Sequence, residues 1–238
     1  QQAMFPDVHH VDIEFAKNFW IQKYPVTQAL WLSVMNYNSD NKYLGLRYPA
    51  FSMSWLEAVI FCNKLSQIDG FETVYERPEG AEVLSRKVYK STDDEVDTCV
   101  AKITMNLEAN GYRLPFEHEW EYAARGGENY AFAGSDDYND VAWCGDNCKE
   151  PQPVGLLKPN GYGLYDMSGC VAEYTSTPFM KVVPSDPLTC DPSLSDKKSV
   201  RGGGWWELFF ASGVAERDIS HFSMRLSDRG FRLCRFEP

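Results

Sequence analysis

Basic residues are the first thing this chain is short of: 23 Lys and Arg stand against 34 Asp and Glu, for a formal net charge of −11 over 238 residues. Phosphate recognition needs a dense basic surface, so nucleic acid is not expected as a partner. Long apolar runs are also missing, and none approaches the ~20 residues of a membrane-spanning helix. The opening QQAMFPDVHH lacks a basic stretch followed by an apolar one, so no signal peptide is read there. Histidine is scarce. His9, His10, His118 and His221 do not fall at ligand spacing with the cysteines, which argues against a zinc site. Internal repeats, low-complexity tracts and a dividing linker are absent too, so residues 1–238 read as one domain.

Apolar and aromatic residues are plentiful at 44% and 14%, enough for a packed core, and seventeen glycines with seven tryptophans suggest a loop-rich fold. The seven cysteines are Cys62, Cys99, Cys144, Cys148, Cys170, Cys190 and Cys234. An odd number leaves at least one thiol free or paired between chains. Cys144 and Cys148 bracket Gly-Asp-Asn and are candidates for a small disulfide loop.

Along the chain, Val11–Tyr24 alternates loosely and reads as strand, and Val26–Met35 has helical spacing. Ser54 and Glu57 form a capping box that opens a helix over about Trp55–Gln67, with Gly70 as its stop. Pro78–Val100 is charged and aperiodic and reads as a surface insertion. Ile103, Met105 and Leu107 alternate as one strand. Phe116–Arg125 is the second clear helix, closed by Gly126 and Gly127. Glu117 and Glu119 in its first turn are expected to be solvated, favoured there by the helix dipole, and not a catalytic pair. Glu128–Gly230 reads as turns and short strands, with Pro178–Ser199 a long loop. Two clear helices ahead of an irregular back half indicate an α+β fold.

Arg201–Arg232 stands apart. Its ends look like scaffold: Gly202, Gly203, Gly204 and Trp205 at the front, Gly230-Phe231-Arg232-Leu233 at the back as a short closing strand. Between them Trp206, Leu208, Phe209, Phe210, Ile219, Phe222, Met224 and Leu226 fit neither a helical stripe nor an alternation, and Glu207, Glu216, Asp218, Ser220, His221 and Asp228 are scattered among them. Large apolar side chains on an irregular segment form a surface patch suited to binding.

Four motifs now stand in order: SWLEAVIFCNKLS (54–66), NGYRLPFEHEWEYAARGG (110–127), PNGYGLYDMSGCVAEY (159–174) and SVRGGGWW…DRGFRLCR (199–235). Their order resembles the formylglycine-generating-enzyme superfamily, which implies a variant of the C-type lectin fold over essentially the whole chain. The resemblance also implies where copper-holding cysteines would lie. Counted from Trp205, those positions are Glu207 and Ser212, neither a soft thiolate, so oxidase activity is not expected. A calcium ion near the third motif in some relatives makes Asp166 and Glu173 hard-oxygen candidates, and no other cofactor is implied. The fourth motif is similar to that of a narrower group, the variable proteins of diversity-generating retroelements. Arg201 to Trp205, Ala211, Val214, Arg217, Arg225 and Gly230-Phe231-Arg232 match that group's fixed frame. The expected ligand-binding positions are then Trp206, Glu207, Leu208, Phe209, Phe210, Glu216, Asp218, Ser220, His221, Phe222, Met224, Leu226 and Asp228, with Trp206, Phe209, Phe210 and Phe222 as anchors. The expected partner is an unknown protein or cell-surface ligand. The group's habit further implies a lipid-anchored outer-membrane protein displayed at the cell surface.

Overall fold

The structure, a computed structural model, describes residues 12–40, 42–43, 45–76, 103–181, 186 and 191–237. In chain order its elements are β1 (Phe19–Ile21), α1 (Gln28–Met35), α2 (Trp55–Ile68), β2 (Tyr75–Glu76), β3 (Thr104–Met105), α3 (Glu117–Arg125), α4 (Tyr138–Val141), β4 (Ala142–Trp143), β5 (Ser168–Gly169), β6 (Ala172–Pro178), β7 (Lys197–Arg201), β8 (Arg217–His221), β9 (Arg229–Gly230) and β10 (Cys234–Phe236). The largest sheet has the order β8-β7-β6-β9, antiparallel except for the parallel β6–β9 pair. β1 pairs with β10, so the two ends of the described chain meet.

β6 is the buried centre of that sheet, yet it is rich in polar side chains. They are partnered, as buried polar groups must be. Thr175 Oγ1 donates to Ser199 O at 3.0 Å, Ser176 Oγ to Leu114 O at 3.0 Å, and Thr177 Oγ1 accepts the Glu117 N–H at 2.9 Å. α2 starts where the capping box predicts: Glu57 Oε2 accepts from Ser54 N–H at 2.8 Å and Ser54 Oγ from Glu57 N–H at 3.3 Å. It runs through the main core, where Trp31 stacks on Phe61 at 5.4 Å and Phe231 meets both edge-on. A second cluster gathers Trp120, Ala123, Ala124, Leu164, Met167 and Val214 between α3 and the back half.

Several expectations change. Four helices stand among the described residues: α1 forms within the Val26–Met35 stretch of helical spacing, and α4 adds one turn that was not expected. The strand read over Val11–Tyr24 contracts to β1, and the one over Ile103–Leu107 to β3. The closing strand moves on: Gly230 ends β9, Phe231–Leu233 is irregular and core-facing, and β10 closes the chain. Part of the irregular stretch after Trp205 is regular, since β8 pairs with β7 over five residues. Glu117 and Glu119 are not solvated but buried, for reasons given below. Cys62, Cys144, Cys148, Cys170 and Cys234 are buried and unbridged, so no Cys144–Cys148 disulfide forms. Burial raises the pKa of all five thiols, which leaves none poised as a thiolate. The Pro78–Val100 insertion, His9, His10, Cys99 and Cys190 lie outside the described residues.

Candidate functional site

Buried guanidinium–carboxylate pairs hold the site's frame. Arg113 grips Glu119 through two bonds of 2.6 and 2.7 Å, and Glu119 Oε2 also takes the Phe116 N–H that opens α3. Arg232 meets both oxygens of Glu173, at 2.7 and 2.8 Å, and Trp120 Nε1 donates to the same carboxylate at 2.7 Å. Arg217 donates to Glu117 at 3.0 Å, while Arg201 reaches Glu117 at 3.3 Å and Glu121 at 2.5 Å. Arg225 bonds Glu57 at 2.9 Å beside Tyr37, whose hydroxyl donates to Glu57 at 2.8 Å. Arg217 and Arg225 therefore belong to the frame.

The turn after β7 needs its glycines. Gly203 sits at φ +69°, and a Cβ there would lie 2.7 Å from Ala211 O. A Cβ on Gly204 would lie 2.6 Å from Asp228 Cβ, so the glycine and the aspartate form a matched pair. Trp205 is half-buried; its indole N–H donates to Ser227 O at 3.0 Å and its ring meets Tyr43 edge-on.

Beyond the turn lies an open cleft of about 230 Å³. Glu207, Phe210, Glu216 and Asp218 line it, over a floor of Gly202 and Gly203, with Arg217 at one side. Trp206, Leu208 and Met224 are exposed, as is Phe210. Phe209 turns partly inward and stacks on Tyr138 of α4 at 5.0 Å. His221 and Leu226 are half-buried, and the His221 ring contacts Ser223 Oγ through Nδ1 at 2.8 Å.

Three expected positions are corrected. Phe222 is fully buried in the main core, its N–H bonded to Asp196 O, and cannot be a surface anchor. Ser220 is buried on the inner side of β8. Asp228 is buried beneath Gly204 and bonded to Arg229 at 2.7 Å. Ile219, read as part of the apolar patch but not among the expected ligand-binding positions, is exposed on β8, where alternation with Ser220 is its signal. Sequence reasoning missed one residue. Arg229 meets Asp228, Glu207 (3.5 Å) and Asp218, and carries no sequence mark of that role. Burial raises the pKa of Glu207 and Asp228 against the pull of Arg229.

The residues present do not fit the metals considered. Glu207 and Ser212 offer hard oxygens where soft thiolates would hold copper(I). Glu207 is bonded to the Gly204 N–H at 2.8 Å. For calcium, both Glu173 oxygens are consumed by Arg232 and Trp120. The Asp166 carboxyl is pushed up to about 6 by burial, which disfavours the charged form calcium requires. Among the described residues no group of three His, Cys, Asp or Glu side chains is placed to hold a metal ion.

Residues 5–236 match the sulfatase-modifying factor enzyme 1-like domain. The chain belongs to that family. Its architecture is the α+β, formylglycine-generating-enzyme type of C-type lectin fold. Treponema denticola variable protein 1 superposes on this family member with a TM-score of 0.80 at 30% identity, over 92% of this chain and 84% of that one. Chaperone protein LppX from Paenibacillus barcinonensis is 34% identical over 230 residues, covering 86% of this chain and 73% of its own. The formylglycine-generating enzyme of Mycobacterium tuberculosis is 37% identical over 105 residues, about a third of either chain.

Proposed function

We propose that this protein is a non-enzymatic, surface-displayed ligand-binding protein whose 206–228 stretch is diversified by a retroelement while the frame around it stays fixed. One observation carries the reading. Five of the fourteen exposed large apolar side chains among the described residues fall between Trp206 and Met224, one of them, Phe210, lining an open cleft, on a scaffold in which Arg113, Arg201 and Arg232 are buried in ion pairs. Such a cluster on a rigid base is the arrangement in which aromatic anchors give affinity and can be exchanged without touching the core. The similarity to a variable protein over nearly the whole chain supports it, and so do the oxygen donors at the two copper-ligand positions.

Sequencing the surrounding locus tests the diversification. A nearby near-copy of the coding segment for 201–232, differing at template adenines, is expected, and independent isolates should differ at Trp206, Leu208 and Phe210 but not at Arg201, Arg217 or Arg232. Identical residues at 206–228 across isolates overturn that part. Thiol-dependent copper binding with oxygen uptake on a cysteine peptide overturns the non-enzymatic part.

A further inference from the structure

The cleft at Gly202–Gly203 has a charge surplus that the fold does not satisfy. One guanidinium, Arg229, serves three carboxylates: Asp228 at 2.7 Å, Glu207 at 3.5 Å, and Asp218. Glu216 lines the same cleft, and its carboxylate shows no hydrogen bond or ion pair among the described residues. Arg217 does not offset it, because its guanidinium is turned to Glu117 and to Met180 O, both at 3.0 Å. Among the described residues the buried carboxylates of Glu57, Glu117, Glu119 and Glu173 each have a guanidinium partner, and this cleft has one for three. Half-exposed Phe210 closes one wall, and an aromatic face attracts a cation laid against it.

Size restricts the occupant. About 230 Å³ is below the ~300–1,000 Å³ usual for sites that engulf a free small molecule. It suits one long side chain of a larger partner, with Phe210 as its aromatic wall.

We infer that this cleft receives the cationic side chain, Lys or Arg, of a partner protein. The inference rests on the ligand-binding reading and adds the partner's chemistry to it. Complementary charge fixes register and raises the association rate, while the apolar side chains around it supply most of the affinity.

The test is an unbiased random-peptide display selection against the intact protein, followed by titration of the recovered peptides. Peptides that lose binding in Phe210→Ala should share a Lys or Arg at one position. Replacing that residue by citrulline or norleucine should weaken binding by at least about tenfold, and Glu216→Gln by severalfold, and the Glu216→Gln loss should shrink as added salt screens the charge. Glu216→Lys should abolish binding; Glu216 is half-exposed, and an unchanged near-ultraviolet circular dichroism spectrum checks that the variant is folded. Peptides that bind through Phe210 without a basic residue, or that tolerate Glu216→Lys, overturn the inference and leave the binding reading standing. If no recovered peptide depends on Phe210, Trp206 or Leu208, both fall.

Discussion

Glu117, Glu119 and Glu173 lie beneath the surface, and Glu207, Glu216 and Asp218 surround the cleft. Each of the first three has a guanidinium of its own: Arg217, Arg113 and Arg232. Of the cleft's acids, Glu207 and Asp218 share Arg229 with Asp228, and Glu216 has no partner among the described residues. The same contrast separates two phenylalanines, Phe210 and Phe222, that follow the glycine turn. Phe222 is fully buried among core aromatics and Phe210 is half exposed. Residue type does not decide the role here; the neighbours do. Matched charges and buried rings make the frame, and surplus charges and exposed rings make the surface that can change. A fold arranged this way tolerates replacement at one set and not at the other.

The contrast breaks first if a frame pair proves dispensable. Arg232→Met leaves the Glu173 carboxylate buried with only Trp120 Nε1 for a partner. Removing one member of a buried pair costs about 3–5 kcal/mol, read as a lower urea midpoint with an unchanged slope. A loss under about 1 kcal/mol would mean that Glu173 takes up a proton at little cost and that the frame is not ionic. Phe222→Ala is expected to cost a similar amount, about 3–5 kcal/mol, because it opens a cavity beside α2; its amide bond to Asp196 O shows how firmly the strand end is held.

Much of the frame was legible in the sequence, and the reasons are local. Ser54 and Glu57 announce α2 because a capping box needs only four residues, and Gly126 stops α3 in the left-handed region that glycine favours. β6 was not legible as the central strand, since Thr175, Ser176 and Thr177 read as surface until their long-range partners are known. Glu117 and Glu119 were misread for the same reason: their arginines lie 100 and 6 residues away, and only Arg113 is in the same motif. In the candidate site, Gly202–Trp205 was legible from its run of glycines, the frame arginines only through the family resemblance, and exposure of Trp206, Leu208 and Phe210 from the absence of a period. Phe222 was not, because β8 places its following residue inward by pairing with β7, a long-range event.

A pH measurement sharpens the comparison at intermediate size. The Asp166 carboxyl is raised from 3.8 to about 6 by burial. A raised acid pKa means that the folded state binds its proton more tightly than the unfolded one. This group's contribution to stability is therefore present below about pH 4 and lost as pH rises to about 6. Asp166→Asn keeps an oxygen for the Gly155 N–H (2.7 Å) and removes the titration. The variant should be more stable than the parent at pH 7 by about 1–3 kcal/mol, and the difference should shrink towards pH 4. Equal stability at both pH values would place Asp166 in contact with water or a cation and return it to the candidate binding residues.

The smallest expected effect is the most discriminating. Leu208 and Phe210 are 53% and 50% exposed. Full burial of such side chains is worth about 1.5–3 kcal/mol, so half-exposed ones contribute at most about 1 kcal/mol each to folding. Leu208→Ser and Phe210→Ser should then lower the urea midpoint only slightly, and together by little more than their sum, since exposed neighbours rarely couple strongly. Their binding loss should be far larger than their stability loss, because an anchor's area is removed from water only when the partner arrives. A stability loss as large as that of Phe222→Ala would show that the stretch after Trp205 is itself core, and the division between a fixed frame and an exchangeable surface would have no physical basis.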